Sequence, residues 1–203
     1  MTLCLVTDRH RRPVLDQCRE AVDARIDMIQ VRERGLDDGA LASLVTELVR
    51  LTRATSTRVI VNDRLDVALA CRADGVHLRG DSIPPEAARS IAPEGFLIGR
   101  SVHQEHEAKA MVGVDYLIAG TVFPTSSKPG LTEWLGVEGL ARICRSAAVP
   151  VLAIGGVTAD RLPDVAAAGA AGIAGIGLFA GGSRPLADVV AAARSAWTAG
   201  RAV

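Results

Sequence analysis

The sequence predicts a single (β/α)₈ barrel, or TIM barrel, that forms one α/β domain over residues 1–203. Two observations lead to this fold class. Short apolar runs alternate with longer amphipathic stretches eight times along the 203 residues, which is typical of a closed barrel in which strands and helices alternate. The apolar runs are also continuous rather than alternating in hydrophobicity, as expected of strands buried on both faces of a parallel sheet.

Eight apolar runs are short enough to be strands. In chain order the predicted strands are Leu3–Thr7, Met28–Arg32, Val59–Asn62, Gly75–Leu78, Phe96–Arg100, Tyr116–Gly120, Val151–Ile154 and Gly172–Ile176. A doubly wound open sheet is the alternative architecture, but such sheets usually lack eight evenly spaced units. The even spacing therefore favours the barrel.

The stretches between these runs have the pattern of amphipathic helices. The stretch Asp37–Ala54 places Leu41, Val45 and Leu48 on one face, and a further helix is predicted over Ala159–Ala168. Helix starts have their own signals. Pro84-Pro85 suits the first turn of a helix, and Gly136-Val137-Glu138 opens another.

Composition narrows the class of partner. The formal net charge is zero and aromatic residues make up 3% of the chain, so neither a nucleic acid nor a membrane is expected as a partner. The four cysteines are scattered without metal-ligand spacing, which is typical of reduced, buried thiols. Because no basic segment precedes the first apolar run, a signal peptide is not expected. We therefore expect a cytoplasmic protein. A homo-oligomer is compatible with the sequence.

Several predicted strands turn polar where they end. Gln30, Arg32 and Arg34 at the end of the second strand share one face, because side chains alternate along a strand. In this fold the strand ends and the loops after them form the active site. The polar residues at the next four strand ends are Asn62 and Asp63, then His77 and Asp81, then Ser101 and His103, and last Thr125 to Lys128.

These residue types suit a phosphorylated small molecule and a metal ion. Arginine and lysine side chains are forked or point-charge donors for phosphate oxygens. Asp63 and Asp81 supply the hard oxygen ligands that hold Mg²⁺ against a pyrophosphate. Each residue also has an ordinary explanation, since a lone charge at a loop start is usually a surface group and Asp63 suits a helix cap. Convergence of five consecutive strand ends on one mouth favours the site.

Glycines after the last two strands give a separate phosphate signal. Gly155 and Gly156 follow the seventh strand, and Gly177 follows Ile176 at the end of the eighth. Backbone N–H groups at glycines can approach a phosphate closely, and barrels commonly bind phosphate in these two loops. A glycine pair alone also fits a tight turn.

Together these residues resemble the thiamine phosphate synthase and thiazole tautomerase family over essentially the whole chain. The order of the matching pieces on one barrel makes the resemblance specific. The pieces are Gln30-x-Arg32-Glu33, Asn62-Asp63-Arg64, Asp74 to Leu78, Gly99-x-Ser101-x-His103, Gly120-x-Val122-Phe123-Pro124-Thr125-x-Ser127-Lys128 and Ala153 to Thr158.

The resemblance implies an enzyme that joins hydroxymethylpyrimidine pyrophosphate to hydroxyethylthiazole phosphate and releases pyrophosphate. Mg²⁺ would be the cofactor, held by Asp63 and Asp81. The residues implied to hold the pyrimidine pyrophosphate are Gln30, Arg32, Arg34, Asn62 and Lys128. Ser101 would contact the pyrimidine or the leaving group, and Thr125 and Ser127 the thiazole substrate or pyrophosphate. Gly156, Ile176 and Gly177 would bind the thiazole phosphate. The catalytic residues would be Arg32, Ser101 and Lys128.

The chain departs from the synthase pattern at a few positions. Arg34 replaces a lysine, Ser127 a threonine and Gly177 a serine, and the loop that carries Asp81 is one residue shorter. Other segments resemble the tautomerase branch, in which a histidine follows the glycine that ends the sixth strand. Here that position is Thr121, and a hydroxyl is a poor base at neutral pH. We therefore predict a synthase. The alternatives are a tautomerase and a non-catalytic regulator that binds thiazole phosphate.

Overall fold

The computed structural model describes residues 1–125, 130, 132–181 and 184–201, and its strands close into the predicted barrel. Every strand pairs in parallel with the next, and the eighth pairs with the first. The predicted fold class is confirmed. The strands are β1 (Thr2–Val6), β2 (Met28–Val31), β3 (Arg58–Asn62), β4 (Gly75–Leu78), β5 (Leu97–Val102), β6 (Tyr116–Gly120), β7 (Val151–Ile154) and β8 (Gly172–Gly175).

Helices follow the strands, and none in the described part of the chain is long and apolar enough to cross a membrane. The predicted helix Ala159–Ala168 opens with a 3₁₀ turn over Ala159–Arg161 before α7 begins. The α-helices of the described residues are α1 (Val14–Asp23), α2 (Asp38–Thr52), α3 (Leu65–Ala70), α4 (Pro85–Ile91), α5 (Glu105–Lys109), α6 (Gly136–Ser146), α7 (Leu162–Ala167), α8 (Gly177–Ala180) and α9 (Leu186–Arg201).

Alternation along the strands divides the apolar side chains between two cores. Side chains of one parity pack between the barrel and the surrounding helices. Those of the other parity fill the inside of the barrel, because successive side chains of a strand point to opposite faces. The buried residues of the inner core are Cys4, Val6, Met28, Ile60, Tyr116, Ile118, Leu152 and Ala174.

Tyr116 is the aromatic residue of the inner core, and a glycine on the neighbouring strand makes room for it. Gly99 on β5 pairs with Tyr116 on β6. A Cβ on Gly99 would overlap the Tyr116 ring. The φ angle of Gly99 lies outside the left-handed region, so space rather than backbone conformation requires glycine here.

We predict that Gly99→Ala lowers the free energy of unfolding by about 1–3 kcal/mol, the usual cost of overpacking a core. The matched control is Gly80→Ala, because Gly80 lies in open space and its φ is also outside the left-handed region. Urea denaturation of both variants measures the effect. Equal stability of Gly99→Ala and wild type would contradict this description of the inner core.

A polar layer lies above the inner core, toward the carboxyl ends of the strands. His77 on β4 is buried and its Nε2 lies 2.9 Å from the Oγ of Ser101 on β5. Burial lowers the pKa of His77 from 6.5 to about 3, helped by the positive charges of Arg100 and Arg32. His77 is therefore neutral in the folded protein at physiological pH.

This lowered pKa predicts a pH dependence of stability. Below pH 6.5 the unfolded chain takes up a proton at His77 that the folded chain excludes, so stability present above pH 6.5 is lost as the pH falls. Between pH 7 and pH 5 the unfolding free energy of wild type should fall by about 2 kcal/mol more than that of His77→Gln. Denaturant titrations at both pH values measure the difference. Parallel pH profiles for the two proteins would rule out a buried, neutral His77.

Candidate functional site

A cavity of about 650 Å³ opens at the carboxyl ends of the strands. The inner core closes it from below, and the loops that follow the strands form its walls. Residues from the ends of all eight strands, or from the loops after them, line it. Its place is the one that barrels of this class use for binding and catalysis.

The cavity brings together the substrate-binding residues that the sequence predicts within the described chain. They come from strands or loops far apart in sequence, and closure of the barrel makes them neighbours. Ser127 and Lys128 lie outside the described residues. The predicted residues that line the cavity are Gln30, Arg32, Arg34, Asn62, Ser101, Thr125, Gly156, Ile176 and Gly177.

The floor of the cavity is polar and uncharged. The Gln30 side chain donates from Nε2 to the Asn62 Oδ1 at 2.9 Å, which fixes both amides. The Oε1 of Gln30 and the Nδ1 of His77 are buried without a hydrogen-bond partner among the described residues. Buried polar atoms are usually paired, so these two atoms are exceptions in the floor of the cavity.

Guanidinium groups dominate the walls. Arg11, Arg32, Arg34 and Arg79 line the cavity, and no aspartate or glutamate of the described chain does. Partial burial lowers the pKa of Arg32, and the neighbouring charges of Arg34 and Arg79 lower it further. Like charges gathered in this way repel one another, and an anion between them relieves the repulsion.

The two predicted metal ligands lie beside the cavity and share one arginine. Arg79 lies 3.4 Å from a carboxylate oxygen of Asp63 through one terminal nitrogen and 2.5 Å from Asp81 through the other. Asp63 also accepts a hydrogen bond from the Ser82 hydroxyl. Its carboxylate does not cap α3, whose N-cap residue is Arg64, so the alternative prediction for Asp63 is wrong.

This arrangement fits a divalent cation in its donor chemistry. Mg²⁺ typically takes one or two protein carboxylates and completes its shell with water and substrate phosphates. Asp63 and Asp81 both pair with the positively charged guanidinium of Arg79. Within the described residues no cluster of three or more histidine, cysteine, aspartate or glutamate side chains could bind a metal by itself.

Backbone groups after β7 and β8 line another part of the wall. Gly155 and Gly156 have φ angles of +97° and +63°, and a Cβ on Gly156 would overlap the carbonyl oxygens of Phe123 and Pro124. Arg161 donates to the Gly156 carbonyl at 2.8 Å and stacks on Phe123 with 4.6 Å to the ring centroid. Among the described residues no acceptor takes the N–H of Gly156 or of Gly177. These donors remain available at the cavity wall.

Two lining arginines were missed by the sequence analysis. Arg79 follows His77 with the strand period of two, which was a usable signal. Arg11 lies in the loop after β1, where a run of charged residues resembles an ordinary surface turn. Successive side chains of a strand point to opposite faces, so Arg100 points away from the cavity that its neighbour Ser101 lines. Arg100 donates to the Gly80 and Ile83 carbonyls at 2.8 Å.

His103 lies near the mouth, two residues before α5 begins. Its side chain lines the cavity, and its Nδ1 contacts the carbonyl oxygen of Gly120. Thr121 follows Gly120 in the chain and lines the same cavity. Thr121, the residue that bears on the tautomerase alternative, is therefore at the site, and so is His103.

Comparison with known proteins agrees with this fold. A family model described as thiamine monophosphate synthase matches residues 3–179. The thiamine-phosphate synthase of Methanoregula boonei is 46% identical over 170 residues, which cover 83% of this chain and 77% of that protein. The thiamine-phosphate synthase of Methanoculleus marisnigri is 40% identical over 198 residues, or 95% of this chain and 92% of that one.

A solved structure gives the same result. Thiamine phosphate pyrophosphorylase from Pyrococcus furiosus superposes with a TM-score of 0.86 at 35% identity, covering 98% of this chain and 96% of that one. Since the family model and the relatives each span most of the sequence, the chain belongs to the thiamine monophosphate synthase family.

Proposed function

We propose that this protein is a thiamine-phosphate synthase that transfers the hydroxymethylpyrimidine group from its pyrophosphate ester to the nitrogen of hydroxyethylthiazole phosphate. The C–O bond to pyrophosphate breaks, a C–N bond forms, and pyrophosphate leaves with the electron pair. One observation carries the proposal: a cavity with an uncharged floor has both guanidinium groups and free backbone N–H groups on its walls. It therefore suits two substrates that each bear phosphate.

The arginine wall suits the pyrophosphate. Arg32 and Arg34 follow β2, Arg79 follows β4, and all three line the cavity. Negative charge grows on the departing pyrophosphate as the bond breaks, and cations fixed in place stabilise that charge more than they stabilise the substrate. We assign Arg32 and Lys128 to this role.

The floor suits the pyrimidine ring. Gln30 and Asn62 present amide groups held by their mutual hydrogen bond, and Ser101 presents a hydroxyl that the neutral His77 orients. Ser101 would contact the pyrimidine or its leaving oxygen. Thr125 and Ser127 would close over the thiazole substrate or pyrophosphate, and the residues that would bind the thiazole phosphate are Gly156, Ile176 and Gly177.

Asp63 and Asp81 would hold Mg²⁺ between the protein and the pyrophosphate. The bound ion would neutralise phosphoryl oxygens and so make pyrophosphate a better leaving group. Arg79 holds the two carboxylates together, and Ser82 orients Asp63 through its hydroxyl. The protein groups thus prepare a site that the substrate oxygens complete.

A synthase fits the site better than the tautomerase or a non-catalytic regulator. Capture of a carbocation by the thiazole nitrogen needs no strong general base, and Thr121 supplies none at the position where the tautomerase branch has histidine. A regulator that bound only thiazole phosphate would not need the arginine wall or the carboxylate pair. The relatives named above are synthases.

We predict that the purified protein forms thiamine phosphate from the two substrates with Mg²⁺, measured by conversion to fluorescent thiochrome. Arg32→Ala should lower kcat roughly 10²- to 10³-fold, as expected when one transition-state donor is lost. Arg58→Ala is the matched control, because Arg58 begins β3 at the other end of the barrel and pairs with Asp74 at 3.0 Å.

Three results would contradict this proposal. Wild-type protein that aromatises the thiazole precursor but forms no thiamine phosphate would indicate the tautomerase. Protein that binds thiazole phosphate without activity in either assay would indicate the regulator. An equal loss of activity in Arg32→Ala and Arg58→Ala would mean that Arg32 acts only through the stability of the fold.

Turnover should also depend on Mg²⁺. We predict that excess chelator abolishes thiamine phosphate formation and that added Mg²⁺ restores it, since an unneutralised pyrophosphate leaves slowly. Asp63→Asn should raise the Mg²⁺ concentration needed for half-maximal rate. Asp66→Asn is the control, because Asp66 is exposed and pairs with Arg64 at 2.6 Å. Full activity in chelator would exclude the metal role of Asp63 and Asp81.

A further inference from the structure

Arg11 lies at the cavity wall where β1 and β8 meet. It belongs to the loop between β1 and α1, and it lines the cavity together with Gly156 and Gly177. One terminal nitrogen of its guanidinium is 3.7 Å from the point that a Cβ on Gly177 would occupy. The Arg11 side chain therefore lies next to the backbone that follows β8.

A second glycine gives this guanidinium its space. The other terminal nitrogen of Arg11 is 2.9 Å from the position of a Cβ on Gly181, closer than a real Cβ could be. Gly181 has a φ of −149°, which does not require glycine. Glycine at position 181 is thus needed for the space that it leaves to the Arg11 guanidinium, not for its backbone conformation.

The guanidinium of Arg11 has hydrogen-bond donors that no described residue accepts. Its Nε lies 3.5 Å from a carboxylate oxygen of Asp8, and within the described residues its two terminal nitrogens have no hydrogen-bond partner. The other arginine near Gly156 is committed, because Arg161 bonds the Gly156 carbonyl and stacks on Phe123. Arg11 is therefore the guanidinium that can turn two parallel N–H groups toward a ligand at this wall.

We propose that Arg11 binds the phosphate of the thiazole substrate, together with the backbone N–H groups of Gly156 and Gly177. This inference rests on the proposed function, since it assigns one anion of that reaction to one wall. The backbone N–H groups of Gly156 and Gly177 are uncharged donors. A guanidinium adds a positive charge and a forked pair of donors that match a phosphate. Arg11 would thus make the site select the phosphorylated thiazole over the free alcohol.

Kinetics with each substrate varied in turn test this role. Arg11→Ala should raise the KM for thiazole phosphate roughly 10- to 100-fold, the worth of a hydrogen bond to a charged group, and leave the KM for the pyrimidine pyrophosphate unchanged. Arg11→Lys should fall between Arg11→Ala and wild type. Gly181→Ala should act in the same direction, because the new methyl group displaces the guanidinium. The matched control is Arg12→Ala, since Arg12 pairs with Glu20 at 2.5 Å on the surface.

Calorimetric binding of thiazole phosphate, without the pyrimidine substrate, separates this inference from the proposed function. If wild type forms thiamine phosphate while Arg11→Ala and Gly181→Ala keep the wild-type KM and Kd for thiazole phosphate, the inference is wrong and the function stands. If wild type forms no product, the function is wrong, and weaker binding in Arg11→Ala than in Arg12→Ala still supports the inference. A rise in the KM for the pyrimidine pyrophosphate instead would assign Arg11 to the other anion and overturn it.

Discussion

Closure of eight parallel strands into a barrel forces alternate side chains inward, and the rest of the site depends on this constraint. Below the mouth the inward positions are apolar and pack against one another. At the strand ends the same inward positions line the cavity, and polar residues occupy them. Gln30, His77 and Ser101 continue the inward rows of their strands, whereas Arg100, one residue from Ser101, points out and ties down a neighbouring loop.

The same constraint concentrates charge. The ends of β2 and β4, on either side of β3, bring Arg32, Arg34 and Arg79 into one space. Burial lowers the pKa of Arg32, and the charges of Arg34 and Arg79 lower it further. The folded protein thus carries an electrostatic repulsion that a bound anion removes, so anion binding and stability are linked. Asp63 and Asp81 reduce the repulsion from outside the cavity through Arg79.

Much of this site can be predicted from sequence because it follows periodicity. Gln30, Arg32 and Arg34 are two residues apart at the end of a strand, and the structure places all three at the cavity. Arg11 could not be predicted in this way. Its position depends on the path of a loop and on the space left by Gly181, more than 150 residues away in the chain. The end of the fifth strand also differs from the prediction. The sequence predicts that it ends at Arg100, whereas pairing with β6 extends β5 to Val102.

The neutral floor of the cavity has a consequence for the proposed chemistry. Departure of pyrophosphate leaves positive charge on the pyrimidine, so a cation directly beneath it would oppose the reaction. His77 lies next to Ser101 at this floor, and its burial lowers its pKa to about 3, which keeps it uncharged where a free histidine would be partly protonated. The positive charges of Arg32 and Arg11 enter from the walls instead, on the sides where the proposed reaction has its anions. Separation of a charged rim from an uncharged floor therefore lets one cavity stabilise a departing anion without penalising the cation that it leaves behind.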